Sequence, residues 1–218
     1  MARSSEPVFN ITRVAGGLIL ANVLVHLVRQ AMPPELDHAL LLHFGFVPSE
    51  FLAPDAGPIL PENWWAWLSP VSYGFLHGDF LHLLVNTGFL LAFGTLLERR
   101  LGAGRMLALY LVSLVLSVAG ASVVYWITAE PVLMIGASGA VAGLFGAAAR
   151  FAFPERRGFW LGATFIGINL VVGLIGLSEF GGVRQIAWEA HVAGFLVGAL
   201  VFPLLDRPPP LRPVPPPA

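Results

Sequence analysis

One serine, two histidines and an asparagine stand in apolar stretches of this chain, where side chains of their kind are costly. Ser138 lies in MIGASGAVAGLFGAAAR (134–150), His82 and Asn86 in HGDFLHLLVN (77–86), and His191 in EAHVAGFLVGAL (189–200). A serine hydroxyl becomes a nucleophile at neutral pH when a base such as histidine lies within hydrogen-bond reach. His82 and Asn86 are four residues apart, so on a helix they share a face about one turn apart, and both can donate hydrogen bonds toward one point. The plain alternative is a polar pair that knits two helices together. Ser138 has its own alternative, a helix N-cap. His77, at the mouth of the same stretch as His82, suits a structural role in which it bonds loop backbone near a helix end.

The elements that must position these groups are membrane helices. Of the 218 residues 56% are hydrophobic and 11% charged, and the mean hydropathy is +0.77; that is too apolar for a soluble domain of this length. Crossing the hydrocarbon takes about 20 apolar residues per helix, and six stretches qualify, at 14–30, 75–97, 106–127, 138–153, 159–177 and 185–205. The fourth is the shortest and reaches only about 24 Å, against a hydrocarbon core of about 30 Å. Its N-terminus, with Ser138, is therefore expected below the outer surface, where unpaired N–H groups and the helix dipole suit an oxyanion. Gly139 and Gly143 in this span, and Gly194 and Gly198 in the sixth, recur at four-residue spacing. If those small-residue faces meet, the helices approach closely and Ser138 and His191 come within hydrogen-bond reach.

Polarity along the chain sets an expected orientation. All twelve basic residues are arginine. With a cytoplasmic N-terminus, Arg3, Arg13, Arg99, Arg100, Arg105, Arg150, Arg156, Arg157, Arg207 and Arg212 lie inside, and only Arg29 and Arg184 outside, as the positive-inside bias requires. The net charge of −1 argues against a nucleic-acid partner. Cysteine is absent, which removes disulfides and thiolate metal sites. The first span lacks a small-x-small cleavage site and reads as an uncleaved signal anchor. Segment 31–74, rich in Pro and carrying Phe44, Phe46, Phe51, Trp64, Trp65 and Trp67, suits a loop or short helices in the headgroup region. ERRLGAGR (98–105) and PERRG (154–158) read as tight cytoplasmic turns. Residues 1–207 then form one membrane domain, and 208–218 a polyproline tail. Other costly polar groups are Asn22, His26, Ser113, Ser117 and Asn169.

Taken together, HGDFLHLLVN in span two, GASG opening span four and AHVAG in span six resemble the rhomboid family of intramembrane serine proteases, in the family's order, over about residues 10–205. Glu98 and Gly102 of ERRLG match the family's glutamate–glycine turn. The resemblance implies an all-α, polytopic bundle of six transmembrane helices and a dyad of Ser138 as nucleophile and His191 as general base, with no acidic third member. It also implies an oxyanion hole from His82, Asn86 and the Ser138 backbone N–H, with Gly136, Gly139 and Gly194 giving room at the serine. No metal or cofactor is implied. The implied protein is a multi-pass serine endopeptidase of a bacterial inner membrane, with both termini cytoplasmic and the site opening outward, cutting transmembrane protein substrates within the lipid bilayer. In two places the chain departs from some family members: Trp64 and Trp65 are followed by Ala66 where those members carry a Trp-Arg pair, and Ala142 stands where they stack a tyrosine on the histidine.

Two other functions compete with this one. A catalytically silent rhomboid-like binding module or chaperone is marked by loss of Ser138 or His191, and both are present. A proton or metal transporter built on His82, Asn86 and His191 needs more acidic residues in the spans and usually an internal repeat; Asp and Glu are absent from the span centres, and no repeat is found.

Overall fold

The structure, a computed structural model, describes residues 11–49, 66–129, 132–153, 156–174, 179–180, 183–184 and 187–206. The fold is all-α apart from one short hairpin. In chain order the helices are α1 (Arg13–Gln30), α2 (Pro34–Phe44), α3 (Ser69–Ser72), α4 (Phe80–Leu101), α5 (Ala103–Thr128), α6 (Ser138–Ala152), α7 (Arg156–Leu174) and α8 (Trp188–Leu205). Between α7 and α8, β1 (Glu179–Phe180) and β2 (Val183–Arg184) pair antiparallel, Glu179 opposite Arg184. Among the described residues α4, α5 and α8 are each long and apolar enough to cross a membrane on their own. The 15-residue α6 is only about 22 Å long.

Several boundaries differ from the sequence expectation, each for a local reason. The second span begins at Phe80, not 75, because Asp79 caps it: its carboxylate accepts from the His82 N–H at 2.8 Å. Residues 73–75 form a separate 3₁₀ turn instead. The same helix continues past 97 to Leu101, so ERRLGAGR is not an eight-residue turn. Gly102 alone makes the break, at φ +83°, a conformation that glycine adopts without steric cost. Inside α4 a π-helical turn, Leu90–Gly94, brings Gly94 against α1, where an added Cβ would lie 3.3 Å from the Ala15 Cβ. Helix α5 starts at 103 and α7 at 156, three residues earlier than expected, and α8 at 188, three later. The first ten residues, Trp64, Trp65, residues 175–177 and 185–186 at the expected span ends, and the proline-rich tail lie outside the described residues. In segment 31–74 the described parts include the short helices α2 and α3.

Helix α6 is the centre of the bundle, with residues 139–144 and 146–149 all buried. In lipid the helices gain little from hiding apolar surface, so close packing and interhelical hydrogen bonds must hold them. The small residues of α6 supply that closeness on two sides. A Cβ added at Gly139 or Gly143 would collide with the Ser117 or Ser113 hydroxyl of α5, and one at Gly194 or Gly198 of α8 would collide with the Gly139 or Gly143 carbonyl oxygen. The α6 and α8 glycine faces thus meet, as their spacing predicts.

At the opposite end from Ser138, α1 is tied down by Glu98. Its carboxylate accepts from the Val14 N–H at 3.1 Å and the Ala15 N–H at 2.9 Å, satisfying donors that a helix start leaves open. Nearby Arg100 pairs with Asp206 at 2.8 Å, and Arg105 donates to the Leu205 carbonyl at 3.1 Å. These contacts join the C-terminus of α8 to the α4–α5 break.

Candidate active site

The chain enters α6 through residues 132–137, which are held on three sides. Phe46 and Met134 exchange two backbone hydrogen bonds, at 3.0 and 2.8 Å. The Gly136 N–H donates to the Tyr73 carbonyl at 2.9 Å. The Ala137 N–H donates to His77 Nε2 at 3.5 Å, and the fully buried His77 lends its own carbonyl to Arg29 Nη1 at 2.7 Å. The structural role expected for His77 is therefore present. Tyr73 is fixed in turn through its hydroxyl, 2.7 Å from Ser117 Oγ.

Gly136 is required twice over. Its φ of +118° is open at little cost only to glycine, and an added Cβ would sit 2.7 Å from His82 Nε2. Any side chain at 136 would push the His82 ring away. Ser138 follows as the first residue of α6 after the N-cap position, which Ala137 occupies. The N-cap alternative for Ser138 therefore fails, and its hydroxyl is not used to close the helix start.

Ser138, His191, His82 and Asn86 all line one cavity of about 620 Å³, together with Asp79, Ala142 and the aromatic rings of Phe89, Phe93, Phe145 and Phe165. Asn86 Nδ2 donates to the His82 carbonyl at 3.0 Å, which leaves the second amide hydrogen for the cavity. The His77 and His82 rings meet edge to face at 5.1 Å. His191 Nδ1 lies 2.9 Å from Asn169 Oδ1 of α7. The hydrogen bonds of the described residues do not include one between Ser138 and His191. Catalytic hydrogen bonds are often long without substrate and tighten when it binds.

A Rhomboid domain family model matches residues 61–207, about two thirds of the chain. The chain belongs to the rhomboid family. This rhomboid is 34% identical over 161 residues to Rhomboid protease GluP of Bacillus subtilis, covering 72% of the chain and 29% of that protein. It is 35% identical over 141 residues to RHOMBOID-like protein 4 of Arabidopsis thaliana, covering 63% of the chain and 34% of that protein. With Rhomboid protease GlpG of Yersinia enterocolitica it shares 32% identity over 140 residues, 63% of the chain and 46% of that protein. The matched stretch thus spans less than half the length of each relative. Together with the apolar helices, these likenesses make the chain an integral membrane protein of a protease family.

The remaining polar residues divide between packing and the site. Ser113 and Ser117 are fully buried behind the α6 glycines. Asn22 bonds its own helix through the Leu18 carbonyl at 2.7 Å, and the buried His26 packs edge to face on Phe80 at 4.6 Å. Asn169 is the site neighbour that sequence reasoning left without a role. Its signal was its polarity in an apolar span, but the direction it faces is set by the rotation of α7, which spacing within one helix does not encode.

Proposed function

We propose that this rhomboid is an intramembrane serine endopeptidase that hydrolyses peptide bonds in or beside transmembrane segments of membrane proteins, using Ser138 and His191. The observation that carries the reading is the convergence of Ser138, His191, His82 and Asn86 on one cavity in a chain of a family that includes named proteases.

Ser138 Oγ attacks the scissile carbonyl carbon while His191 Nε2 takes its proton, and the negative charge moves to the carbonyl oxygen. His82, the Asn86 amide and the Ser138 N–H, unpaired at the start of α6, donate to that oxygen. Collapse of the intermediate breaks the C–N bond, with the proton on His191 going to the leaving amine. Water then repeats the sequence on the acyl-enzyme and releases the serine. An intact substrate helix hides its carbonyls in hydrogen bonds, so the cleaved stretch must unwind locally, which favours helix-breaking and small residues there.

Helices α1 and α4 to α8 form the six spans of this reading, in a bacterial inner membrane with both termini cytoplasmic and the cavity opening outward. The arginine distribution supports the orientation, with ten of the twelve on the inward side. The inward-side residues Arg99, Arg100, Arg150, Arg156 and Arg157 are exposed, and Arg29 on the outer side is buried and paired to Asp37 at 2.7 Å.

The test is labelling of purified protein by a fluorophosphonate. Wild type is expected to label and both Ser138→Ala and His191→Ala to lose labelling, with thermal stability in detergent within about 1–2 kcal/mol of wild type because no large core cavity is made. Labelling that survives Ser138→Ala would overturn the assignment. A wild type that folds but neither labels nor cleaves would favour the silent binding module.

A further inference from the structure

We infer that Asn169 is a positioning residue for this reaction: it accepts a hydrogen bond from His191 Nδ1 and so holds the imidazole in the tautomer whose Nε2 is free to receive the serine proton. The inference rests on the Ser138–His191 reading above.

Asn169 is buried at 8% exposure in the C-terminal half of α7, where an amide end left without a hydrogen bond costs free energy. Its Nδ2 donates to the Phe165 carbonyl, one turn earlier on the same helix, at 2.9 Å. That bond fixes the amide plane and leaves Oδ1 as the atom facing His191, at 2.9 Å from Nδ1. An amide oxygen only accepts, so Nδ1 must carry the hydrogen. In the neutral ring the lone pair is then on Nε2. A base for Ser138 needs that tautomer, because the alternative one would present an N–H to the hydroxyl.

The neighbourhood gives His191 little else to hold it. Ala142, which lines the same cavity, has no ring to stack on the imidazole, and the titratable groups sharing the cavity are His82 and Asp79 at the start of α4. Asn169 also ties the rotation of α7 to the angle of His191. The serine and the base sit on α6 and α8, and a third helix thereby sets the direction of the base.

The experiment compares wild type with Asn169→Ala, Asn169→Leu and Asn169→Asp, using cleavage of a transmembrane reporter and ¹⁵N ring signals of histidine in detergent-solubilised protein. Wild-type His191 is expected as the Nδ1–H tautomer, and the Ala and Leu variants are expected to lose that preference. Their kcat should fall about tenfold or more, the worth of one hydrogen bond, with KM within about twofold because the substrate does not touch this bond. Leu has the same branching and number of side-chain heavy atoms as Asn, so it reads the same effect if Asn169→Ala does not fold. Asn169→Asp keeps the acceptor toward Nδ1 but loses the donor to the Phe165 carbonyl, so it should regain part of the rate. Its carboxylate also favours the imidazolium, so the acid limb of its pH–rate profile should move to higher pH. A wild-type His191 in the Nε2–H form, wild-type kcat in both Ala and Leu variants, or equal loss in Ala, Leu and Asp would each overturn the inference. Activity that persists in Ser138→Ala would instead remove the underlying reading, so the two failures are distinguishable.

Discussion

Replacing Gly198 with alanine should damage catalysis more than it damages the fold. In α8 a Cβ at 198 would lie 2.7 Å from the Gly143 Cα and overlap the Gly143 carbonyl oxygen. Carbon atoms in good contact sit about 3.5–4.0 Å apart, so α8 and α6 must part by roughly 1 Å where they cross. Nothing flexible is available to yield, because the obstructing atoms are α6 backbone. The same seam carries His191 two turns earlier on α8 and Ser138 at its end on α6. A shift of about 1 Å between reacting groups can lower a rate by about 10²-fold, whereas overpacking of this kind costs about 1–3 kcal/mol of stability. The assay is cleavage of a transmembrane reporter alongside thermal unfolding in the same detergent. Gly167→Ala is the control, since no atom lies within 4 Å of its added Cβ; relief of chain entropy should leave it neutral or more stable by up to about 1 kcal/mol. Cleavage by Gly198→Ala within about twofold of wild type would refute the reasoning, for it would show that the close crossing does not set the distance from Ser138 to His191.

Asn86→Ala should lower turnover by about 10²–10³-fold with little change in KM, because a donor to the oxyanion acts mainly in the transition state; near-normal turnover with a small loss of thermal stability would return Asn86 to helix packing. For orientation, cysteines placed at the exposed positions Gly78 and Gly104 should label from opposite faces of intact cells or vesicles, Gly78 from outside and Gly104 from the cytoplasm. Reversed labelling would put the cavity on the inner side.

Much of the candidate site was legible because the bilayer makes polarity expensive. Against an apolar background, each of Ser138, His191, His82 and Asn86 stands out in the sequence, and the glycine spacing of Gly139/Gly143 and Gly194/Gly198 pairs the helices that bear two of them. Helix ends were less legible, because hydropathy measures apolar content and the ends here are set by single polar contacts. Asp79 starts α4 five residues inside an apolar stretch. At the other end, the charges in LERRL look like a turn, yet Glu98 is buried as the cap of α1 and only Gly102 breaks the chain. A carboxylate whose partners are 84 residues away in sequence has no local signature of its task.

Asn169 marks the same boundary inside the site. An asparagine in an apolar span can bond its own helix, a neighbouring helix or a reacting group, and its type allows all three. Asn22, Asn86 and Asn169 each donate to the carbonyl four residues earlier, Leu18, His82 and Phe165. The remaining half of each amide separates them. That of Asn86 belongs to an amide lining the cavity, that of Asn169 meets His191, and the Asn22 Oδ1 is buried without a hydrogen bond. The shared bond fixes how each amide is turned about its own helix, and the rotation of that helix in the bundle then decides what the free end meets. Function at these positions is therefore carried by helix packing, to which the close glycine faces of α6 and α8 contribute.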